Sequence, residues 1–435
     1  MTDEMREALK GTLKAASLNA PEVAPDLLDR LADRHRARRR RRATSAVAAV
    51  AAVAVAAGGT TLVLRPGGDA GPEPLKRPTP LTTATLPKPV PVPEGAVRTL
   101  PKTLPNGREY RPKVALSGTA LLVSTESSLQ VTDRLWVYDL RTRAATKVTD
   151  VVVPSGSKIY ASYFAVGDGQ VAWWLQRRSG ARMMTEIWTA PLAGGTARKV
   201  LALDAASDEG RSIGRLVVGA GKIRWGPNDF MPQAGTAVYE APLTGGRAQR
   251  IPGTEGSRIL AWPWVGTPGG TSGRVDEASF KRLRNMDTGE TRDAELPKGK
   301  ASWTCGITWC LGGQAAGVTY TGGAPDSYAL RRDGKAGHVF KMRDLDLFPG
   351  ADPLYDRFLP QLVAATSQGK KLARNAMLYD LATEKLIDLG PNKGGAVPGT
   401  IANAWQGGTG PGLDRYIVRE TADGSFQMVD LAALS

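Results

Sequence analysis

The sequence predicts a mainly β protein, and three observations carry the prediction. From about Asn106 onward, short apolar runs alternate with clusters of Gly, Pro, Asp and Asn, and no long helical period appears. A strand-turn unit then recurs along the chain: Leu135-Trp-Val-Tyr-Asp-Leu140, Ile187 to Leu192 with Gly194-Gly195, Val238 to Leu243 with Gly245-Gly246, Phe280 to Met286, Tyr328 to Arg332, Met377 to Leu381, and Met428 to Leu431. Its closing positions step by 43 to 52 residues, with a mean of about 48, which is the length of a four-stranded propeller blade. Third, the earlier copies place another strand after the closing position, whereas the last has only four residues left, so one strand is missing there. Ala96 to Thr103 is expected to supply it and to close the ring. The expected fold is a seven-bladed β-propeller outside the membrane, preceded by a short cytoplasmic helical tail, one transmembrane helix and a Pro-rich linker.

The tail covers residues 1–42. Met5, Leu9 and Leu13 recur at a helical interval, Asp3 and Glu4 suit a helix first turn, and Leu27, Leu28 and Leu31 give a second apolar stripe after two prolines. This segment reads either as a solvated tail or as a helical hairpin that binds a cytoplasmic protein at residues 1–31. Seven arginines crowd Arg34 to Arg42, and the 22 residues that follow, 43–64, carry no charge. As a helix these span roughly 33 Å, enough for a hydrocarbon core of about 30 Å. The membrane-flanking Arg38, Arg39, Arg40, Arg41 and Arg42 resist translocation. The expected location is therefore the cell membrane, single-pass, with the amino terminus cytoplasmic and the carboxyl-terminal domain extracytoplasmic. A cleaved signal, cut near Ala57, is the alternative to a signal anchor.

Residues 65–94 form the Pro-rich linker, with Pro87, Pro89, Pro91 and Pro93 in alternation; this is the composition of an extended polyproline spacer. The propeller domain is expected over 95–435. The net charge of +15 is uneven: +4 in 1–42, +3 in 43–105 and +8 over the remainder, without basic runs or interleaved aromatics. Anionic lipid beside the arginine run is the natural counter-charge, and no nucleic-acid partner is expected.

Candidate chemistry is sparse. Gly210-Arg-Ser212-Ile-Gly214 fits the serine-hydrolase elbow pattern, but Ile213 to Val218 reads as a strand where that elbow needs a helix, and His338 has no evident orienting carboxylate. Asp344, Asp346, Asp352 and Asp356 could supply oxygen ligands, yet Leu345, Leu347 and Phe348 stand where calcium loops carry small polar residues. No catalytic set, metal site or cofactor is expected. Cys305 and Cys310 are the only cysteines, and both fall on the expected outer side, where a disulfide stapling one tight loop competes with a redox pair. The tryptophans recur near blade openings and are read as wedge packing between blades. The sharper reading makes Trp262, Trp264 and Trp309 candidate ligand-binding aromatics at one mouth of the channel, with Pro263 keeping the first two out of a regular interior strand.

The basic tail, the Ala/Val span, the proline spacer, the Leu-x-Gly-Gly strand ends and the Cys305-x4-Cys310 segment with its Trp309-Cys310 pair resemble those of membrane-anchored TolB-like or WD-repeat-like propeller proteins of high-GC bacteria. The amino-terminal layout also resembles that of membrane-bound anti-sigma factors. These resemblances imply architecture more than activity. The reading that follows is a membrane-tethered extracytoplasmic propeller that binds a protein, peptide or glycan without catalysis. The alternatives are a transmembrane regulator with a propeller sensor, and a propeller enzyme such as a lactonase or lyase.

Overall fold

The computed structural model describes residues 80–82, 85–128, 131–211, 213–227, 237–269, 278–297, 302–313, 326–341, 353–363, 366–367, 370–371, 375–391, 415–421 and 423–434, all within one compact unit, Pro74–Ser435. The expected tail, the span 43–64 with its flanking arginines, Ser212, Asp344, Asp346, Asp352 and Trp405 lie outside the described residues. Among the described residues no helix is long and apolar enough to cross a membrane.

Seven sheets build the propeller. Blade 1 runs through Arg111–Ser117, Ala120–Ser128, Val131–Asp139 and Ala145–Asp150, each strand antiparallel to the one before. Blade 2 is Ser157–Gly167, Gln170–Ser179, Arg182–Pro191 and Arg198–Asp204; blade 3 is Ile213–Gly219, Lys222–Pro227, Tyr239–Pro242 and Gln249–Arg250. Blade 4 uses Arg258–Ala261, Trp264–Gly266, Arg282–Asn285 and Thr291–Asp293; blade 5 uses Ser302–Cys305, Trp309–Gly313, Asp326–Arg331 and Gly337–Lys341. The described strands of blade 6 are Phe358–Val363, Asn375–Asp380 and Leu386–Pro391, and those of blade 7 are Tyr416–Glu420 and Phe426–Asp430. Every closing position of the sequence repeat is the residue that immediately follows a third strand: Leu140, Leu192, Leu243, Met286, Arg332, Leu381 and Leu431.

The turn after the third strand explains the repeat chemically. In blades 1, 4, 6 and 7 the strand ends in Asp or Asn, whose side-chain oxygen accepts backbone N–H groups of the turn. Asp139 accepts from Arg141 and Thr142 at 2.8 and 3.0 Å, Asn285 from Asp287 and Thr288 at 3.0 and 3.1 Å, Asp380 from Ala382 at 2.9 Å and Asp430 from Ala432 at 3.1 Å. Blades 2 and 3 end their third strands in Pro and use a Gly-Gly pair instead. Gly194 and Gly195 have φ of 105° and 152°, a region that side chains with a Cβ avoid. That conformation lets Gly195 N–H donate to Val148 O, in the outer strand of blade 1, at 2.9 Å. The turn is thus also a docking element between blades.

Packing between blades is apolar and continuous around the ring. One buried cluster joins blades 1 and 2 through Leu122, Leu135, Phe164 and Trp173, and another joins blades 2 and 3 through Trp174, Ile187, Leu216 and Trp225. Val217 and Val238 meet Ile259 and Val265 between blades 3 and 4. Ala294 meets Trp303, Cys305 and Cys310 between blades 4 and 5, and Trp309 and Phe340 meet Met377 and Tyr379 between blades 5 and 6. Leu378 and Ile387 meet Val429 and Leu431, and the last cluster returns from blade 7 to blade 1 through Val418, Met428, Leu121 and Tyr138.

Closure uses the segment assigned from the sequence. Val97–Leu100 pairs antiparallel with Phe426–Asp430, setting Val97 opposite Val429 and Leu100 opposite Phe426, and so forms the outer strand of blade 7. The preceding residues correct one boundary. Residues 80–94 were expected in a linker needing no core of its own, but Leu81 exchanges backbone hydrogen bonds with Val339 and Lys341 at the edge of blade 5, at 2.7 and 2.9 Å. Val90–Pro91 then pairs parallel with Ile387–Asp388 at the edge of blade 6. Leu81, Leu86 and Val92 pack into the neighbouring cores. The physical reason is that edge strands tolerate proline while the apolar residues between the prolines still gain from burial. The described residues of 80–100 therefore form a belt across the outer edges of three consecutive blades.

Leu100 is 1% exposed in the seam between blades 7 and 1, whereas Val90 is 39% exposed. Leu100→Ala is expected to cost about 2–5 kcal/mol in urea unfolding of the full chain. Val90→Ala should stay within about 0.5 kcal/mol. Equal midpoints for the two variants would remove the closing strand from its central place.

Candidate functional site

The three tryptophans proposed as ligand-binding aromatics fall in three different environments. Trp264 and Trp309 are 8% and 5% exposed. Trp264 packs with Leu260 and Leu283 beneath the Arg292 guanidinium, 4.5 Å from its ring centroid. Trp309 lies beside His338, with ring centroids 5.8 Å apart. Trp262 is half-buried, follows the first strand of blade 4 and carries the Arg224 guanidinium 4.6 Å above its ring. Each of the three packs in a different apolar cluster. Cys305 and Cys310 face each other across the first two strands of blade 5 and are joined by a disulfide, both fully buried.

His338 has a neighbour that sequence reasoning did not find. Its Nε2 lies 3.1 Å from Leu381 O, the Tyr379 hydroxyl is 3.4 Å from Nδ1, and Glu384 Oε1 is 3.9 Å from Nδ1. All three residues belong to blade 6, about 40 residues away in sequence, so nothing local signals the contact. The arrangement is a seam contact of the same kind as that of Arg198, which opens the outer strand of blade 2 and donates to Leu243 O in blade 3. In both, the outer strand of one blade reaches the carbonyl at the closing position of the next.

Buried charges are also taken up by the frame. Glu186, 1% exposed, accepts from Arg177 at 2.8 Å, Lys199 at 3.2 Å and Trp188 Nε1 at 3.1 Å. Burial pushes its pKa up, but these hydrogen bonds and the Lys199 charge outweigh it and hold the carboxyl below its ordinary value. Asp380, fully buried, takes a bidentate pair from Arg357 at 2.7 and 2.7 Å. Arg419, 2% exposed in blade 7, donates to Leu389 O in blade 6 and to Gln427 in its own blade.

Arg332 occupies the closing position that five other blades fill with Leu. Its Nη atoms donate to Lys281 O at 2.7 Å, to Phe280 O at 3.0 Å and to Gly306 O, which clasps blade 4 to blade 5. Burial lowers its pKa to about 10, with Asp356 pulling the other way, so the guanidinium stays charged at neutral pH. The signal for this clasp was present in the sequence as an Arg in a repeat position otherwise apolar. A cavity of about 270 Å³ lies beside it, lined by Arg292, Asp293, Thr308 and Arg331–Asp333; another of about 270 Å³ is lined by Val200–Leu203, Glu209 and Gly246–Ala248.

In blades 1 to 4 the first strand sits at one end of its sheet order, which in a propeller is the edge facing the channel. In blades 1 to 3 these strands pack against one another in succession. Tyr163 stacks on Trp174 with centroids 5.9 Å apart, and the Lys113 ammonium sits 5.4 Å from the Phe164 ring centroid of the next blade. In blade 5 an extra strand, Ala278–Ser279, pairs parallel with Ser302–Cys305 on the inner side. Among the described residues no three His, Cys, Asp or Glu side chains are grouped to hold a metal ion.

No protein-family model matches the chain, and no curated protein matches it. Among solved structures it is similar to the β-propeller domain of the Trilobed protease from Pyrococcus furiosus, at 12% identity and a TM-score of 0.32, over 53% of this chain and 71% of that one. It is similar to the Pyrococcus horikoshii acylaminoacyl peptidase at 12% identity and a TM-score of 0.37, over 65% of this chain and 45% of that one. It is also similar to TolB from Acinetobacter baumannii at 11% identity and a TM-score of 0.30, over 73% and 78% of the two chains. This chain spans under half of the acylaminoacyl peptidase.

Two substitutions check the buried charges by thermal and urea unfolding. Glu186→Gln should cost about 3 kcal/mol near neutral pH, because two cations lose their buried counter-charge. Glu186 is held below the value near 4.5 that it has when unfolded, so its contribution is present above that pH and is lost as the pH falls through the folded value. The variant should therefore lose less stability than the native chain on acidification. Arg332→Leu restores the repeat residue, yet it should destabilise by about 2 kcal/mol, since the buried Gly306 carbonyl and two half-buried ones lose their donor.

Proposed function

We propose that this chain is a single-pass, membrane-tethered β-propeller held outside the cell membrane, where it acts as a non-enzymatic binding protein for a protein, peptide or glycan. The observation that carries the reading is the commitment of its buried ionisable side chains to the frame. Glu186, Arg332, His338, Asp380 and Arg419 each close a blade or a seam, so the buried carboxylates and imidazole, the groups suited to proton transfer, are engaged in structure. The disulfide between Cys305 and Cys310 is consistent with an oxidising compartment. The tether rests on the sequence: seven arginines in Arg34 to Arg42 followed by 22 uncharged residues. Loops and channel mouths of such rings are rigidly placed and available for recognition.

A peroxidase fused after Ser435 tests both halves in one experiment. Proximity labelling should mark extracytoplasmic proteins, and a subset of them should disappear when an inert domain replaces the propeller on the same anchor. Labelling of cytoplasmic proteins would overturn the topology. An unchanged labelled set after the replacement would overturn the binding role.

A further inference from the structure

One end of blade 2 joins exposed cations to exposed valines. The second and third strands of this blade have ten residues each and the first has eleven, the longest in the described ring. Ser179 pairs with Arg182 at the hairpin tip, and Arg178 pairs with Met183. A Cβ built on Gly180 would meet nothing within 4 Å, so the tip stands in open space. The connection from blade 1 is fastened beside it: Arg178 N–H donates to Gly156 O at 2.9 Å, and Ser157 donates to Pro154 O from its N–H and its hydroxyl at 3.2 and 2.6 Å. In that connection Val152 and Val153 are 41% and 44% exposed; with Val90 they are the exposed large hydrophobics among the described residues. Lys158, Arg178 and Arg182, all exposed, sit at the same end.

The carboxylates on the adjoining strand ends are taken by other groups. Asp150 takes Arg134 at 3.0 Å and Lys147 at 2.7 Å, Asp133 takes Arg108 at 2.7 Å, and Asp208 lies 3.7 Å from Arg211. Glu186 holds Arg177 and Lys199, and Asp204 accepts the N–H of Ala206 at 2.9 Å. Glu126 on blade 1 and Glu209 on the connection to blade 3 are half-buried. Among the described residues, Lys158, Arg178 and Arg182 enter no ion pair, side-chain hydrogen bond or cation–π contact. Three cations and two aliphatic side chains therefore face water with no role in the frame.

We propose that this end of blade 2 docks on an anionic phospholipid surface, with Val152 and Val153 entering the headgroup layer while Lys158, Arg178 and Arg182 meet lipid phosphates. Guanidinium forks match phosphate oxygens, and cations beside a negatively charged leaflet are drawn to it. A projecting tip that mixes aliphatic and cationic side chains suits a fluid interface, which takes up the apolar part and pairs the charged part at once. Five such residues bind weakly alone. Fifteen residues separate position 64 from Pro80, so the proposed span keeps the ring within reach of the bilayer and makes docking an intramolecular event. The inference rests on the tether proposed above and adds an orientation to it, with blade 2 turned to the lipid.

The test uses the full chain with Val153→Cys, which adds the one free thiol because Cys305 and Cys310 are bonded to each other. Labelled there with the environment-sensitive dye NBD, the chain is reconstituted into nanodiscs of phosphatidylcholine with or without phosphatidylglycerol. In the anionic discs the emission should shift to the blue and lose about half its intensity to nitroxide-labelled lipid, and raising salt from about 50 to about 300 mM should reverse both. The same dye on Thr142→Cys, exposed on a turn at the opposite end of blade 1, should respond to neither lipid. Arg178→Glu with Arg182→Glu should abolish the response of the Val153→Cys chain, whereas Arg178→Lys with Arg182→Lys should keep it. An equal response in both lipids, none in either, or one that survives charge reversal would overturn the proposal. A response to decaglutamate without one to anionic lipid would also overturn it and assign the patch to an acidic protein. A chain that does not enter nanodiscs overturns the tether instead. Docking is then read by adding the labelled chain to vesicles of the same two compositions, where failure to bind the anionic ones overturns it.

Discussion

Everything in this molecule depends on ring closure. Seven twisted sheets stacked side by side bury both faces of every blade only if the last blade meets the first. Here that meeting is made by the antiparallel pairing of Val97–Leu100 with Phe426–Asp430 and by the cluster it brings to the seam. Tyr110 lies 5.9 Å from Tyr138 and 5.6 Å from Phe426, centroid to centroid, so one aromatic contacts both sides of the seam. Without the closing strand, blade 7 would expose the edge of Phe426–Asp430, and the aromatic faces would have water on one side. The belt at Leu81 and Val90–Pro91 extends the same device over blades 5 and 6. Closure is thus spread over some twenty residues rather than concentrated in one strand.

Within the ring, each seam solves the same two problems with different residues. Apolar area has to leave water, and the carbonyls at the seams must find donors once buried. Blade 2 uses a backbone donor, Gly195 N–H to Val148 O, which is possible because its glycines adopt positive φ. The seams between blades 2 and 3, 4 and 5, and 6 and 7 use Arg198, Arg332 and Arg419; the last two are buried, and each reaches more than one carbonyl. His338 does this for the seam between blades 5 and 6. A buried arginine elsewhere would suggest an anion site; here the carbonyls it meets explain its position.

The repeat was legible in the sequence because the turn after each third strand imposes chemistry locally. Asp before Leu, or Leu-x-Gly-Gly, can be read one copy at a time, and all seven copies sit at equivalent places. The closing strand was legible for a related reason, since the last copy lacked its fourth strand. What could not be read was nonlocal. The apolar residues among the prolines of 80–94 pack against strands some 250 to 300 residues later, and Glu384 reaches His338 only because blades 5 and 6 are neighbours. Tryptophan spacing correctly suggested wedge packing for Trp173 and Trp225, at 0% and 1% exposure, yet gave no means of deciding that Trp262, Trp264 and Trp309 would part company.

A frame built this way constrains where recognition can evolve. Third strands hold their carboxylates against arginines or turn N–H groups, as Glu186, Asp380 and Asp430 do, so altering them changes stability first. Among the described residues, the first strands of blades 1 to 4 have a strand neighbour on one edge only. Arg111 and Lys158 are exposed, and their neighbours Pro112 and Ile159 carry the contact with the frame. The disulfide lies in the one described blade whose first strand has no cation and whose inner edge is covered by Ala278–Ser279. Among the described residues, the first strands of blades 1 to 4 thus carry cations, while that of blade 5 is stapled and covered on its inner edge.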